Sequence, residues 1–413
     1  MAECAIGQLY RHMGRLKESL RLLEDVLERT EERLGPSHST TMEVMWSLAN
    51  TYDDNSDIRK AEKLYSRLKT ITESLLHEVI GDSGDAHLTR TNAINIDLYL
   101  GRLYTRVGKL KLARGLLLQA RDDAVLHLGT KNFQMDYAYL MLGWNYAAEG
   151  DLAEAERLIS YSAVRPGDVF DEDSPIVAFF ISQLGELYYL QGRLDQAEQI
   201  LRSCVTTSEI TLGKDDVTLI SWKISPAEIC VDQDRLDEAK TSLDHIIASL
   251  QDDSGSEPSA ISVCFRARGK VHTRQKFFDE AEAAFRRSLK IASSNGVDEG
   301  PEALWCLLDL GRCYHDQGRL TEAKDAVGRA IHVHRQNEAP KTQWLLACLY
   351  ELGRICQSGE VWDEAERAYV EAHAGYERVL GLENERTKKA AQALIDLRDA
   401  RTMPNEATTV GLG

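Results

Sequence analysis

Apolar positions along the chain recur at the spacing of one helical face and are interrupted at regular points by glycine. Leu184, Gly185 and Tyr188 fall at i, i+1 and i+4, a single stripe of a helix with 3.6 residues per turn. Gly192 follows where that helix should stop, as expected for a left-handed residue after a helix C-terminus. Leu194 and Ala197 then open a second stripe. The pattern predicts a helical hairpin: one helix, a tight turn, and a second helix returning along the first.

The hairpin repeats. With Ala197 as register mark, Ser19, Ala61, Ala113, Ala155, Ala239, Ala281, Ala323 and Ala365 hold the equivalent place, at intervals of 42, 52 and then 42 six times. One phase kept over the whole chain marks a stacked array rather than separate globules. The interval of 52 places a ten-residue insertion near Gly81, Asp82, Ser83, Gly84 and Asp85, which reads as a longer loop.

The marker belongs where the two helices of a hairpin cross, so a large side chain there would overpack. Glycine should end the first helix at Gly14, Gly108, Gly150, Gly192 and Gly318. The pairs Leu34-Gly35, Leu128-Gly129, Leu212-Gly213 and Leu380-Gly381 should end second helices. Asp195 with Glu198, Asp279 with Glu282 and Asp363 with Glu366 fit an N-cap and a reciprocating carboxylate.

First helices begin near Pro175 and Pro301, ten residues before Gly185 and Gly311. Ten before Gly7 would precede Met1, so the first helix is expected to lack its opening turn. Lys388 to Arg401 takes the place of a tenth first helix and supplies a polar end cap. The expected architecture is all-α: a right-handed α-α superhelical solenoid of nine hairpins. It forms one array over residues 1–401, with a capping helix over 388–401 and a disordered tail over 402–413.

Composition narrows the partners. Apolar residues make up 43% and charged residues 28%, with 8 Pro, the balance of a folded helical chain. Acidic residues outnumber basic ones by 66 to 49, a net charge of -17 that repels nucleic acid phosphates and anionic lipid. Neither a membrane span nor a signal peptide is visible. A cytoplasmic setting follows, and the eight cysteines agree with it: no C-x-x-C pair occurs, and Cys264, Cys306 and Cys348 lie 42 residues apart as small packing positions.

Chemistry is not apparent. Phosphate loops and the motifs of zinc proteases and serine hydrolases are missing. His332 and His334 stand two apart, which on a helix turns them away from a common ion. The chain is expected to have no cofactor, no metal and no enzymatic activity.

The small-residue and tyrosine positions resemble the tetratricopeptide repeat. The 42-residue period, with Leu34, Gly35, Pro36, Ser37 and His38 followed by Thr41, is similar to the longer repeat of kinesin light chains. Similar arrays form the sensing ends of large signalling NTPases, so a sensor region of such a protein is the alternative to a free-standing scaffold. Kinesin light chains carry paired asparagines before the Leu-Gly of many first helices. Here those places hold Trp46 and Ser47, Leu98 and Tyr99, Leu140 and Met141, and Ser182 and Gln183.

The resemblance implies a binding scaffold whose first helices line a concave groove. The corresponding positions in units two to five are Trp46, Arg102, Arg106, Tyr137, Trp144, Phe179 and Tyr189. In units seven to nine they are Arg266, Lys270, Arg274, Trp305, Arg312, His315, Tyr350 and Arg354, with Asp316 the one acid, a face of +4. Such a groove suits a protein or peptide that is acidic and carries an aromatic anchor.

Overall fold

The computed structural model describes residues 2–13, 15–55, 57–78, 84–165, 170–171, 174–213, 219–252, 258–294, 301–336 and 343–402. Among these residues it contains helices and no strand. The first five hairpins are α1 (Ala2–His12) with α2 (Leu16–Leu34), α3 (Ser39–Asp54) with α4 (Ile58–Glu78), α5 (Gly84–Arg106) with α6 (Leu110–Leu128), α7 (Phe133–Glu149) with α8 (Leu152–Val164), and α9 (Pro175–Leu190) with α10 (Leu194–Leu212). The next four are α11 (Ile220–Asp232) with α12 (Leu236–Asp252), α13 (Pro258–Arg274) with α14 (Phe278–Ser294), α15 (Pro301–Asp316) with α16 (Leu320–Gln336), and α17 (Gln343–Ser358) with α18 (Trp362–Leu380). A last helix, α19 (Glu385–Thr402), packs on α18.

Each even-numbered helix lies on the odd-numbered helix before it. Successive odd-numbered helices also touch, as α5 does α7 and α13 does α15, whereas successive even-numbered helices make no comparable contact. The odd-numbered helices therefore form the inner wall of a helical solenoid.

The register mark is where the hairpin closes. All nine marker residues, Ser19 through Ala365, are fully buried. Opposite each mark stands a small residue of the first helix, most often glycine. A methyl group added to Gly101 would lie 2.6 Å from Leu117 and 3.4 Å from the Ala113 carbonyl oxygen. At Gly143 the corresponding distances are 2.5 Å to Ile159 and 3.2 Å to the Ala155 carbonyl, and at Gly311 they are 2.5 Å to Val327 and 3.3 Å to the Ala323 carbonyl. The partner side chain is always four residues after the marker, one turn along the second helix.

Between units the same elements make a clasp. Arg193 lies over the Tyr188 ring at 3.8 Å, donates to Glu156 of the preceding unit at 2.8 Å, and donates to Gln196 in its own helix. Arg319 repeats the arrangement over Tyr314 at 4.3 Å, with Glu282 at 2.7 Å and Glu322 at 3.0 Å. Lys109 does the same over Tyr104, with Glu62.

Two local expectations need correction. Helices α10, α14 and α18 begin at Leu194, Phe278 and Trp362, so Asp195, Asp279 and Asp363 sit inside the first turn rather than capping it. There they act on the exposed N–H groups and dipole of the helix end. A capping aspartate is found instead at Asp151, which accepts from the Glu154 amide at 3.1 Å.

The ten-residue insertion mostly extends helices: α4 continues to Glu78 and α5 begins at Gly84, with 79–83 outside the described residues. Glycine is also not required at every turn. Asp234, Lys276 and Glu360 take the place equivalent to Gly192 with φ of 63°, 62° and 56°, a conformation that costs roughly 1 kcal/mol or more without glycine. Gly14 lies outside the described residues.

The Leu-Gly pairs do end second helices: Gly35, Gly129, Gly213 and Gly381 follow α2, α6, α10 and α18 with positive φ and an extended ψ of 164°, -171°, 154° and 169°. Helix α19 starts three residues before the expected cap and buries Ala390, Leu394 and Leu397. Of the expected tail, Thr402 ends α19 and 403–413 lie outside the described residues. All eight cysteines are buried and unpaired.

The array winds far enough for distant units to meet. Lys17 of unit one donates to the Ser293 carbonyl of unit seven at 3.3 Å, and α7 of unit four touches α18 of unit nine.

Two glycine substitutions separate the crossing from ordinary helix propensity. Gly311→Ala places a methyl against Val327 and should lower stability by about 1 to 3 kcal/mol. Gly328→Ala, in the middle of α16 with nothing within 4 Å, should raise it by about 1 kcal/mol. Urea denaturation followed by circular dichroism reads both; midpoints moving in the same direction would contradict the register.

Candidate functional site

The inner wall over units six to nine is a ladder of ion pairs joining one first helix to the next. Arg266 contacts Glu228 at 3.3 Å, Asp309 at 3.1 Å, and Glu302. Lys270 pairs with Glu228 at 3.1 Å, and Arg312 with Asp309 at 3.2 Å and Glu351 at 3.5 Å. Arg354 pairs with Glu351 at 3.0 Å, and Arg274 with Asp234 at 3.2 Å.

The expected face of +4 is thus matched by acids. Asp309 and Glu351 each stand two residues before the repeat glycine, one position outside the register used to read the groove. Burial pushes the Glu228 carboxyl up, but Lys270 and Arg266 outweigh it and hold it at about 2. Burial likewise raises Glu351, while His315, Arg354 and Arg312 bring it below the usual carboxylate range. A surface neutralised in this way holds helices in register and has little charge left for a ligand.

Several other expected positions serve packing. Trp46 meets Tyr65 and Tyr99 edge-on, with centroids at 5.7 and 4.6 Å. Tyr137 is buried between Tyr99 and Phe133. Tyr350 packs on Tyr369, Phe179 on Phe180, and the Tyr189 hydroxyl donates to Asp232 at 2.6 Å. His334 is buried against Trp344.

The remaining four, Arg102, Arg106, Trp144 and Trp305, converge. They line an open-sided cavity of about 1090 Å³ where units three to five face units eight and nine across the solenoid. A space of this size is at the upper end for small-ligand sites and admits several residues of a peptide.

Trp144 is fixed by its indole N–H, which donates to Gln183 at 3.0 Å. Trp305 meets Trp344 edge-on at 6.3 Å and remains 39% exposed. Arg102 and Arg106 are both held by the fully buried Asp53, Arg102 at 2.6 Å.

Among the lining residues that sequence reasoning did not find are four basic or aromatic ones: Lys111 of α6, Trp344 of α17, Arg378 of α18 and Arg386 of α19. Three of them lie outside first-helix groove positions, and Trp344 stands nine residues before Gly353, beyond the register. The repeat period relates a residue to its counterpart 42 positions away and carries no signal for which distant units face each other.

One further cluster has donors spaced for a metal, Glu198, Cys230 and Glu238. Two guanidinium groups already fill it: Arg235 contacts Glu198 at 2.6 Å and the Cys230 sulfur at 2.8 Å, and Arg202 contacts Glu238 at 2.7 Å. It is an ion-pair cluster between units five and six.

Fold and cavity together define a helical repeat protein whose winding forms a pocket between distant units. The sequence comparison agrees: family models described as tetratricopeptide repeat match residues 1–74, 137–159, 181–217 and 263–336, together half of the chain. The chain belongs to the tetratricopeptide repeat family.

Its fold is similar to that of a Rap protein complexed with Competence and Sporulation Factor, with a TM-score of 0.54 at 13% identity over 88% of this chain and 99% of that one. It is also similar to the APC/C hetero-tetramer Cut9-Hcn1, with a TM-score of 0.50 at 14% identity over 93% of this chain and 62% of that one. A putative kinesin light chain with tetratricopeptide-like repeats from Podosopora anserina matches at 18% identity over 51% of this chain and 94% of that one, with a TM-score of 0.38. No curated protein matches the sequence. No helix among the described residues is long and apolar enough to cross a membrane.

The ladder makes stability depend on pH in a defined sense. Glu228 has a folded-state value near 2, below the roughly 4.3 of an unfolded chain. Its contribution is therefore full above about pH 5 and lost as pH falls toward 2. Glu228→Gln, which strands part of a buried charge pair, should cost about 3 kcal/mol at neutral pH and flatten that acid limb. Denaturation at pH 7, 4 and 2.5 measures it; an unchanged acid limb in the variant would remove Glu228 from the account.

Proposed function

We propose that the chain is a non-enzymatic protein-interaction scaffold that seats a segment of a partner protein inside the solenoid. The observation carrying this reading is the convergence of Trp144, Trp305 and Trp344 with Arg102, Arg106, Lys111, Arg378 and Arg386 on one cavity. Indole and guanidinium groups are the side chains that dominate protein interfaces. The walls carry no nucleophile paired with a base that would suggest turnover.

The Rap and Cut9 structures were solved with Competence and Sporulation Factor and with Hcn1, and the same mode of use is carried to this chain as part of the proposal. The ligand is an acidic segment with an aromatic anchor, for which a basic, indole-lined cavity has matching charge and shape. The eight unpaired cysteines support a reducing, cytoplasmic setting.

Lys111 and Trp305 are exposed and leave the core intact when truncated. The double variant Lys111→Ala with Trp305→Ala should therefore lose partner affinity by about tenfold or more while its melting temperature hardly moves. Quantitative affinity capture from native extract, compared with wild type, measures this. Equal recovery of the same partners by both proteins would place the binding site elsewhere.

A further inference from the structure

The two ends of the array differ. Ten residues before each marker, the first helix turns a side chain toward the second helix of the unit before it, as Ile229 does beside Ala197 and Leu201. At the eight such places in the later units, from Thr51 to Ile355, exposure is 2% or less. The remaining one is Leu9 of α1, which is 57% exposed, with Ile6 one turn earlier at 44%. Helix α1 packs on α2 and touches α3, which leaves this face bare. Unit one therefore presents to solvent the surface that every other unit buries against a helix.

The same face carries part of a clasp. In units three, five and eight the clasp cation reaches the glutamate that follows the marker of the preceding unit: Lys109 with Glu62, Arg193 with Glu156, and Arg319 with Glu282. The tyrosine joins it, as Tyr314 donates to Glu282 at 2.9 Å. In unit one Arg15 lies over the Tyr10 ring at 4.5 Å and pairs with Glu18 at 2.9 Å, as Arg319 does with Tyr314 and Glu322. The cation and the ring are in place, and no described residue supplies the glutamate.

The opposite end is closed. Ile395 of α19 stands 42 residues after Gly353, in the place of the crossing glycine, where a methyl group would already lie 2.5 Å from Tyr369. Arg398 takes the place of the clasp tyrosine and turns back to Glu366 at 3.5 Å. A further second helix has no room to cross α19 at the distance the repeat uses.

We propose that the leading face of unit one is a second interaction site, apart from the cavity, and that it takes a helix of a partner protein. The chemistry of that helix follows from the interface it continues. It is amphipathic, with a small residue to lie against Leu9, a glutamate next in sequence to receive Arg15 and Tyr10, and a large apolar residue one turn on. Ala281, Glu282 and Phe285 carry this pattern within α14. A second copy of the chain offers no free helix of the kind, because each of its second helices is already covered by the first helix that follows. Burial of Leu9 and Ile6 supplies the affinity, and the charge-assisted clasp sets the register.

The probe is the α14 sequence, Phe278–Ser294, as a blocked peptide stapled on its outward side to hold it helical, titrated into the full chain by fluorescence anisotropy. Leu9→Glu, a change at an exposed position that should leave the melting temperature in place, should weaken the peptide by about tenfold or more. Arg15→Gln and a peptide carrying Glu282→Gln should each weaken it by about threefold, and combining them should weaken it no further. The Lys111→Ala, Trp305→Ala variant should bind the peptide as wild type does, which separates this face from the cavity.

No binding to wild type, or binding that Leu9→Glu leaves intact, would overturn the docking face; should Leu9→Glu not fold, Ile6→Glu decides the matter in the same way. Losses that simply add for Arg15→Gln and Glu282→Gln would overturn the clasp. A concentration-dependent dimer in analytical ultracentrifugation that Leu9→Glu abolishes would give the face to a second copy and overturn the partner helix.

Discussion

The structure depends on how closely two helix backbones can approach at one point in each repeat. A small residue in the first helix faces a fully buried marker in the second, near enough at several units for a carbonyl oxygen to lie within 3.4 Å of where a Cβ would be. That distance sets the crossing of each hairpin. The side chain one turn later, such as Leu117, Ile159 or Val327, then fills the space over the glycine and fixes the slide of one helix along the other. Crossings in the same register stack the hairpins into one winding array, and over five repeats that winding brings unit four against unit nine.

Charge follows the same geometry. Arginines at the start of second helices bind the preceding tyrosine and the glutamate of the unit before, so each hairpin is tied to its neighbour by a partly shielded cation. On the inner wall the ladder from Glu228 to Arg354 links first helices to each other. Both systems use opposite charges about one repeat apart, which is why a chain with a net charge of -17 can keep several acids buried. The cavity differs: among the described residues Lys111 and Arg378 take part in neither system.

The helical period, the marker phase and the glycines that end helices were legible because each is a local rule. A buried stripe must recur every 3.6 residues, and a turn into the left-handed region favours glycine. The errors were local as well. Asp195, Asp279 and Asp363 resembled caps because a helix start cannot be fixed to one residue from pattern alone, and the insertion near Gly81 resembled a loop although most of it prolongs α4 and α5. Asp309 and Glu351 were missed because the groove was read at positions borrowed from a resemblance, one residue away from the acids that neutralise it.

The sequence by itself determined the number of hairpins, their phase and the face each presents inward, since these depend on contacts between residues less than one repeat apart. Tertiary structure decided that Arg102, Arg106 and Trp144 meet Trp305, Trp344 and Arg378 across the solenoid, and that Gly150 touches Leu380. Those meetings arise from small rotations accumulated over five repeats. A change of a few degrees in each crossing would separate the two walls without altering a single position of the repeat, so no periodic pattern in the chain can encode them directly.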